Sequence, residues 1–241
     1  SQGFPDFPVS QSLIDLVYKH MNMGQNQYPP MAGVMSLRER VVEKMEAAYG
    51  VQYDPESEIT ITAGGTQALY TAITALISEG DEVIVFTPAY DCYAPAIELA
   101  GGKPVYVQLK PTDFSIDWKQ VKKVVSRHTK MILVNTPHNP TGAVMGEKDI
   151  QELIKITKDN DIMILSDEVY EHIVFDGEPH LSMARYPELA NRSLIVYSFG
   201  KTFHVTGWKT GYITGPENLM AEFRKVHQFN VFTANAPIQH A

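Results

Sequence analysis

The sequence is poor in the features that mark disulfide-bonded, nucleic-acid-binding and membrane proteins. It contains one cysteine, Cys92, so no disulfide can form within the chain and an oxidising compartment is not indicated. The net charge is −8 and the basic residues form no cluster, which disfavours nucleic acid and anionic membranes as partners. No apolar run is long enough to cross a bilayer. We therefore expect a soluble, cytoplasmic protein.

Several common catalytic motifs are also missing. Gly200, Lys201 and Thr202 match the end of a nucleotide-binding P-loop, but that motif requires a glycine at position 195, which is Ile195. A dinucleotide-binding GxGxxG is absent, and so are HExxH and paired cysteines at zinc-ligand spacing. These absences disfavour nucleotide hydrolysis, hydride transfer by NAD and zinc chemistry.

What the sequence does contain is a regular alternation of short β-branched strands and amphipathic helices. Strands are predicted at residues 59–62, 83–86, 105–109, 131–135, 162–166, 193–198 and 211–214. Helices are predicted at 11–23, 36–49, 65–77, 92–99, 118–125, 148–158 and from Pro216 onward, and Ser36 with Glu39 is expected to form a capping box. The alternation predicts an α/β fold with a mostly parallel, mixed central sheet and helices on both faces.

Candidate functional residues follow the predicted strands, at the edge where ligands bind such sheets. Gly64, Gly65 and Thr66 lie between a strand and a helix, where free backbone N–H groups can bind a phosphate, although such a turn can equally be a plain connection. Tyr90 follows the next strand, so its ring can stack on a planar heterocycle or simply pack on its own loop. Asn139 lies in a rigid HNPTG turn, which can hold its amide side chain in a fixed position.

Two further strand ends carry charged side chains. Asp167 ends a buried strand, and a buried carboxylate needs a cationic partner, with a helix N-cap as the alternative interpretation. Glu168 and His172 have the spacing of a metal pair but lack a third ligand, so we expect solvent contact or supporting roles. Lys201 follows the strand at 194–197 among small and hydroxylated residues, where loss of water would make its amine nucleophilic toward a carbonyl.

Taken in the order in which they occur along the chain, the segments that carry these residues resemble those of the pyridoxal-phosphate (PLP) aminotransferases of fold type I, class I/II. The subgroup that contains methionine and kynurenine aminotransferases is suggested by GFPDF, QYPPMAG, PAYDCY, DEVYEH and SFGKTFHVTGWK. The resemblance implies transfer of an amino group from an L-amino acid (methionine, aromatic or kynurenine-like) to a 2-oxo acid by a ping-pong mechanism. The alternatives are a PLP-dependent C–S β-lyase on the same fold and a non-catalytic PLP-binding module.

The resemblance also implies a role for each residue. Lys201 would form the Schiff base and move the substrate proton, Asp167 would pair with the pyridine nitrogen, and Tyr170 would bind the phenolic oxygen. The other implied cofactor contacts are Gly64, Gly65, Thr66, Ser198 and Lys209 to the phosphate, Tyr90 to the ring face and Asn139 to the phenolic oxygen. Most relatives carry arginine at the position of Lys209, so an altered phosphate geometry is expected.

The resemblance extends to the substrate, the subunit partner and the domains. Gly3, Tyr28 and Asn139 are the implied substrate-side residues, and Tyr28 would reach a phosphate in the neighbouring subunit of a homodimer with a shared active site. Residues 1–35 are expected to form an N-terminal segment with the substrate and dimer loop, and residues 36–241 the large PLP-binding domain. We expect the family's N-terminal arm and small C-terminal domain, with its substrate-carboxylate arginine, to be missing, so that this chain alone binds PLP but transaminates poorly.

Overall fold

A seven-stranded mixed sheet organises the protein in the computed structural model, which describes residues 7–158 and 160–241. Its strands are β1 (Ile59–Thr62), β2 (Glu82–Thr87), β3 (Lys103–Gln108), β4 (Thr129–Asn135), β5 (Met163–Asp167), β6 (Ser193–Ser198) and β7 (Gly211–Thr214). The strand order is β1-β7-β6-β5-β4-β2-β3. Neighbours from β6 to β3 are parallel, and only β7 runs antiparallel to its two neighbours among the described strands.

Helices connect the strands. They are α1 (Gln11–Asn22), α2 (Met35–Tyr49), α3 (Gly65–Leu76), α4 (Tyr93–Leu99), α5 (Trp118–Val124), α6 (Glu147–Lys158), α7 (Pro187–Ala190), α8 (Phe199–Thr202), α9 (Glu217–Asn230) and α10 (Ala236–His240), with 3-10 turns at Met183–Arg185 and Thr206–Trp208. The longer helices agree with the predicted ones to within one or two residues. The short helices α7, α8 and α10 were not predicted, because one turn is too short to show helical periodicity.

Both faces of the sheet are covered. Ile132 and Ile164 point to one face, where they join a buried cluster with apolar residues of α2 and α6. Their chain neighbours Leu133 and Leu165 point to the other face, where α3, α4 and α9 pack. Strands buried on both faces explain the nearly continuous apolar character of the strand sequences. The predicted α/β fold with helices on both sides is confirmed.

The predicted capping box at the start of α2 is wrong. The helix begins at Met35, one residue earlier than expected, so Ser36 lies inside the first turn and the N-cap position belongs to Val34. The backbone N–H of Val34 instead donates to the side chain of Gln239, at 2.8 Å. A tertiary contact with α10 therefore replaces the local cap that the sequence pattern favoured.

Within the described ranges, no helix combines the length and apolarity that a bilayer crossing requires.

Candidate active site

A single pocket lies at the carboxyl ends of β4, β5 and β6, beside the start of α3. It brings together ten of the residues singled out in the sequence: Gly64, Gly65, Thr66, Tyr90, Asn139, Asp167, Tyr170, Ser198, Lys201 and Lys209. Residues separated by more than a hundred positions thus meet because parallel strands end at the same edge of the sheet.

One predicted substrate-side residue, Tyr28, does not line this pocket. Tyr28 is 84% exposed and packs edge-on against Phe232, with ring centroids 5.5 Å apart, away from the pocket. That Tyr28 reaches a neighbouring subunit stays a prediction. Gly3 lies outside the described residues.

The start of α3 has the properties of an anion site. Gly64 has a φ of +83°, in the region that favours glycine, and a Cβ there would lie 3.5 Å from Nζ of Lys209. No side chain of the described residues caps this helix, so its first N–H groups stay free for a ligand. The positive end of the helix and the Lys209 amine therefore face the same small volume, beside the Thr66 hydroxyl.

Asp167 is a buried carboxylate at the base of the pocket. It is the last residue of β5 and turns follow it, so it is not the N-cap that was the alternative interpretation. The hydroxyl of Tyr93 donates to Oδ2 at 2.6 Å, and the N–H of Val169 donates to Oδ1 at 3.3 Å. Burial raises the pKa of Asp167 to about 6, although these two hydrogen bonds favour the charged form. A cationic ligand group would find an anion here that the protein leaves incompletely compensated.

Lys201 lies in the one-turn helix α8, directly after β6. Its Nζ is 5.3 Å from the ring centroid of Tyr170. Burial lowers the pKa of Lys201, the positive charge of Lys209 lowers it further, and the negative charge of Asp167 opposes both effects. Burial also raises the pKa of Tyr170, and the charge of Asp167 adds to that effect. The pocket therefore shifts both groups toward their uncharged forms, the neutral amine and the protonated phenol.

Sequence reasoning missed two residues that hold this arrangement. The amide of Asn135, at the end of β4, donates to the backbone carbonyl of Asp167 at 2.9 Å and accepts from the N–H of Asn139 at 2.7 Å. Tyr93, which bonds Asp167, stands in the PAYDCY segment without any local sign of its partner. The position of Asn135 at a strand end, just before the HNPTG turn, was a signal that could have identified it.

The expected solvent contact of Glu168 is wrong, because its side chain is fully buried and does not line the pocket. It accepts hydrogen bonds from Ser166, His180 and the N–H of Met183, each at 2.9 Å. Burial raises its pKa, but the bond and charge of His180 and the N–H of Met183 outweigh burial, so the pKa lies below its ordinary value. His172 is half exposed, 3.6 Å from Glu171. The described residues contain no cluster of three metal-ligating side chains.

Comparison with known proteins agrees with the geometry. The sequence profile of the family "Aminotransferase class I and II" matches residues 1–241. The chain is 48% identical to the methionine aminotransferase of Escherichia coli (strain K12) over 241 residues, which cover all of this chain and 62% of that protein. It is 36% identical to kynurenine–oxoglutarate transaminase 1 of Homo sapiens over 245 residues, covering 96% of this chain and 58% of that protein.

Solved structures give the same result. A methionine aminotransferase structure from Escherichia coli superposes with a TM-score of 0.98 at 48% identity, over all of this chain and 64% of that one. An aromatic aminotransferase from Pyrococcus horikoshii superposes with a TM-score of 0.96 at 35% identity, over all of this chain and 65% of that one. The chain therefore spans somewhat less than two thirds of the length of these relatives.

Proposed function

This chain belongs to the class I and II aminotransferases, and we propose that it forms the cofactor-binding part of an enzyme that moves an amino group from an L-amino acid to a 2-oxo acid. Members of this family are PLP-dependent. The observation that carries the proposal is the meeting, in one pocket, of a lysine with a lowered pKa and a buried aspartate. Among the described residues, no basic side chain lies within salt-bridge distance of that aspartate.

The residues present fit PLP. Gly64 leaves a space that a Cβ would fill beside the Lys209 amine, and the uncapped start of α3 offers N–H groups to a phosphate. Asp167 is 3% exposed and forms no salt bridge with the residues that the structure describes, which suits a protonated ring nitrogen. The two features suit the two charged parts of PLP. The start of α3 with Lys209 suits the anionic phosphate, and Asp167 suits the cationic ring nitrogen.

We assign the contacts as follows. The phosphate would be held by Gly64, Gly65, Thr66, Ser198 and Lys209, the ring face by Tyr90, the phenolic oxygen by Asn139 and Tyr170, and the ring nitrogen by Asp167. When bound, PLP supplies an electron sink for negative charge that develops at the substrate α-carbon.

The pocket residues prepare that chemistry. Because the pKa of Lys201 is lowered, a larger fraction of its amine is neutral near pH 7, where Nζ can bond to a carbonyl carbon and can accept and return a proton. Because the pKa of Tyr170 is raised, its phenol stays protonated and can donate a hydrogen bond. Asp167, with a pKa of about 6, is ionised above that pH and can accept a hydrogen bond from a cation.

The test is an absorbance titration of the protein with PLP, followed by borohydride reduction and peptide mass analysis. We expect a visible band and a reduced covalent pyridoxyl label on the peptide that contains Lys201. Lys201→Ala should lose the label, whereas the matched variant Lys209→Ala, in the same pocket, should keep it with weaker PLP binding. A wild-type protein without the band, or a label that survives in Lys201→Ala, would overturn the proposal.

For the substrate, we propose methionine, aromatic or kynurenine-like amino acids, in view of what the relatives are named for. L-methionine and a 2-oxo acid, added to the PLP-loaded protein, should slowly yield the amino acid that corresponds to the oxo acid. An S-substituted L-cysteine assayed in parallel tests the alternative, because release of a thiol, ammonia and pyruvate from it would instead identify a C–S β-lyase.

The arrangement of the whole protein is also a proposal. We propose that residues 1–35 form an N-terminal segment with the substrate and dimer loop, and that residues 36–241 form the cofactor-binding domain of a cytoplasmic homodimer. The exposed ring of Tyr28 supports a role across a subunit interface. Sedimentation of wild type and Tyr28→Ala, with PLP affinity measured in parallel, tests both the dimer and the contribution of Tyr28.

A further inference from the structure

Tyr93, the first residue of α4, reaches Asp167 from the outside of the pocket. Its side chain is 2% exposed, and its ring packs edge-on against Tyr90, with centroids 5.7 Å apart. Its hydroxyl donates to Oδ2 of Asp167 at 2.6 Å, a distance typical of a strong hydrogen bond to a carboxylate. Tyr93 does not line the pocket itself, so its influence on a ligand passes through the two pocket residues that it touches, Asp167 by its hydroxyl and Tyr90 by its ring.

The backbone and the side chain of Asp167 are held by different groups. The backbone carbonyl accepts from the Asn135 amide at 2.9 Å and from the N–H of Thr136 at 3.1 Å. The carboxylate has only the 3.3 Å bond from Val169 besides the Tyr93 hydroxyl, as far as the described residues go. The shorter bond therefore decides how the carboxylate is turned about its side-chain bonds.

We infer that Tyr93 is a positioning residue, whose hydroxyl holds the Asp167 carboxylate ionised and turned toward the ring nitrogen of PLP. The inference rests on the proposed function. It adds a buried tyrosine outside the pocket to the groups that determine how strongly the pocket binds the cofactor ring.

Other charged and titratable groups also act on Asp167. Burial raises its pKa, the bonds from Tyr93 and Val169 lower it, the neighbouring Glu168 raises it, and Lys201 on α8 lowers it. Cys92 and Tyr170 also lie close enough for the charge of Asp167 to raise their own pKa values. If the Tyr93 hydroxyl is removed while these groups stay, the pKa of Asp167 must rise further, and the carboxylate is then ionised only at higher pH.

The experiment compares wild type, Tyr93→Phe and the control Tyr197→Phe by PLP absorbance titrations from pH 5 to pH 9. Tyr197 is as fully buried as Tyr93, but its hydroxyl contacts Ser182 at 3.2 Å, away from the pocket. Tyr93→Phe should raise the dissociation constant for PLP about tenfold at pH 7, as expected for the loss of one hydrogen bond to a charged group. It should also move the acid limit of PLP binding to higher pH, while Tyr197→Phe leaves both unchanged.

A PLP analogue with carbon in place of the ring nitrogen separates positioning from a general packing effect. Because that analogue offers Asp167 no cation, wild type and Tyr93→Phe should bind it equally well. An equal loss of affinity for PLP and for the analogue would mean that Tyr93 only supports the fold, and would overturn the inference.

A double variant keeps the test decisive if Tyr93→Phe folds poorly. In Tyr93→Phe/Asp167→Ala both partners of the bond are removed, and its PLP affinity should match that of Asp167→Ala within about twofold. A further loss in the double variant would contradict the inference. If wild type itself fails to bind PLP, the proposed function fails, whereas normal PLP binding by Tyr93→Phe overturns the inference about Tyr93 alone.

Discussion

Asp167 and Glu168 are adjacent, both are carboxylates and both are buried, yet their pKa values are shifted in opposite directions. The pKa of Asp167 is raised to about 6 by burial, whereas that of Glu168 lies below its ordinary value. The difference comes from their partners, since Glu168 has a histidine, a hydroxyl and a backbone N–H at 2.9 Å each. Asp167 has one short bond from Tyr93 and one long bond from Val169.

Glu168 and Asp167 differ as a structural charge differs from a functional one, within the same segment. A buried anion whose partners are complete contributes to the fold and has little left to offer a ligand. A buried anion with too few partners costs stability until a cation arrives, and perturbed groups of this kind cluster at functional sites. By this criterion Glu168 belongs to the scaffold and Asp167 to the pocket.

Removing Glu168 should have the largest effect on the fold. Glu168→Ala leaves His180, Ser166 and the N–H of Met183 buried without their acceptor, so we expect a loss of about 3–5 kcal/mol in the free energy of unfolding. Urea denaturation at pH 7 without PLP measures this loss of stability. The control His172→Ala alters a half-exposed neighbour and should change stability by less than about 0.5 kcal/mol. A small effect of Glu168→Ala would break the distinction between the two carboxylates.

Neutralising Asp167 should raise the free energy of unfolding, whereas removing Glu168 lowers it. The carboxyl has a pKa near 3.8 when unfolded and about 6 when folded, so the folded state binds the extra proton between these values and wild type loses stability as pH rises through them. Asp167→Asn does not titrate, and should therefore be more stable than wild type by about 3 kcal/mol at pH 8 in the absence of PLP. The advantage should disappear near pH 4. Denaturation of wild type and Asp167→Asn between pH 4 and pH 8 tests this prediction. A stability difference that does not change with pH would contradict the raised pKa of Asp167.

Gly65→Ala should have a smaller effect on stability. It should disturb the surroundings of Asp167 but not those of Glu168. The added Cβ would lie 2.9 Å from Cγ1 of Val169, whose N–H donates to Asp167. We expect a loss of about 1–2 kcal/mol in stability, because a packed contact must shift, together with weaker PLP binding. Gly207→Ala, where nothing lies within 4 Å of the new Cβ, is the matched control. Equal behaviour of the two variants would show that the Gly65–Val169 contact is unimportant.

Much of the fold was predictable because its signals are local. Strands such as β4 and β5 are continuous apolar runs, and the helices between them show clear periodicity, so their positions follow from the chain itself. The start of α2 was mispredicted because Gln239, more than two hundred residues away, supplies the acceptor for the Val34 N–H. The one-turn helix around Lys201 was missed because four residues show no periodicity.

Which residues stand at strand ends follows from the sequence alone, and so does the meeting of Asp167, Lys201 and the glycines at the start of α3 in one pocket. That inference holds because parallel strands necessarily end together. Which of the two adjacent carboxylates has too few hydrogen-bond partners depends instead on tertiary contacts. Tyr93 is 74 positions from Asp167, while His180 and Met183 are 12 and 15 positions from Glu168. Burial and hydrogen bonding depend on what packs around a group in space, and a pattern of neighbours along the chain does not contain that information.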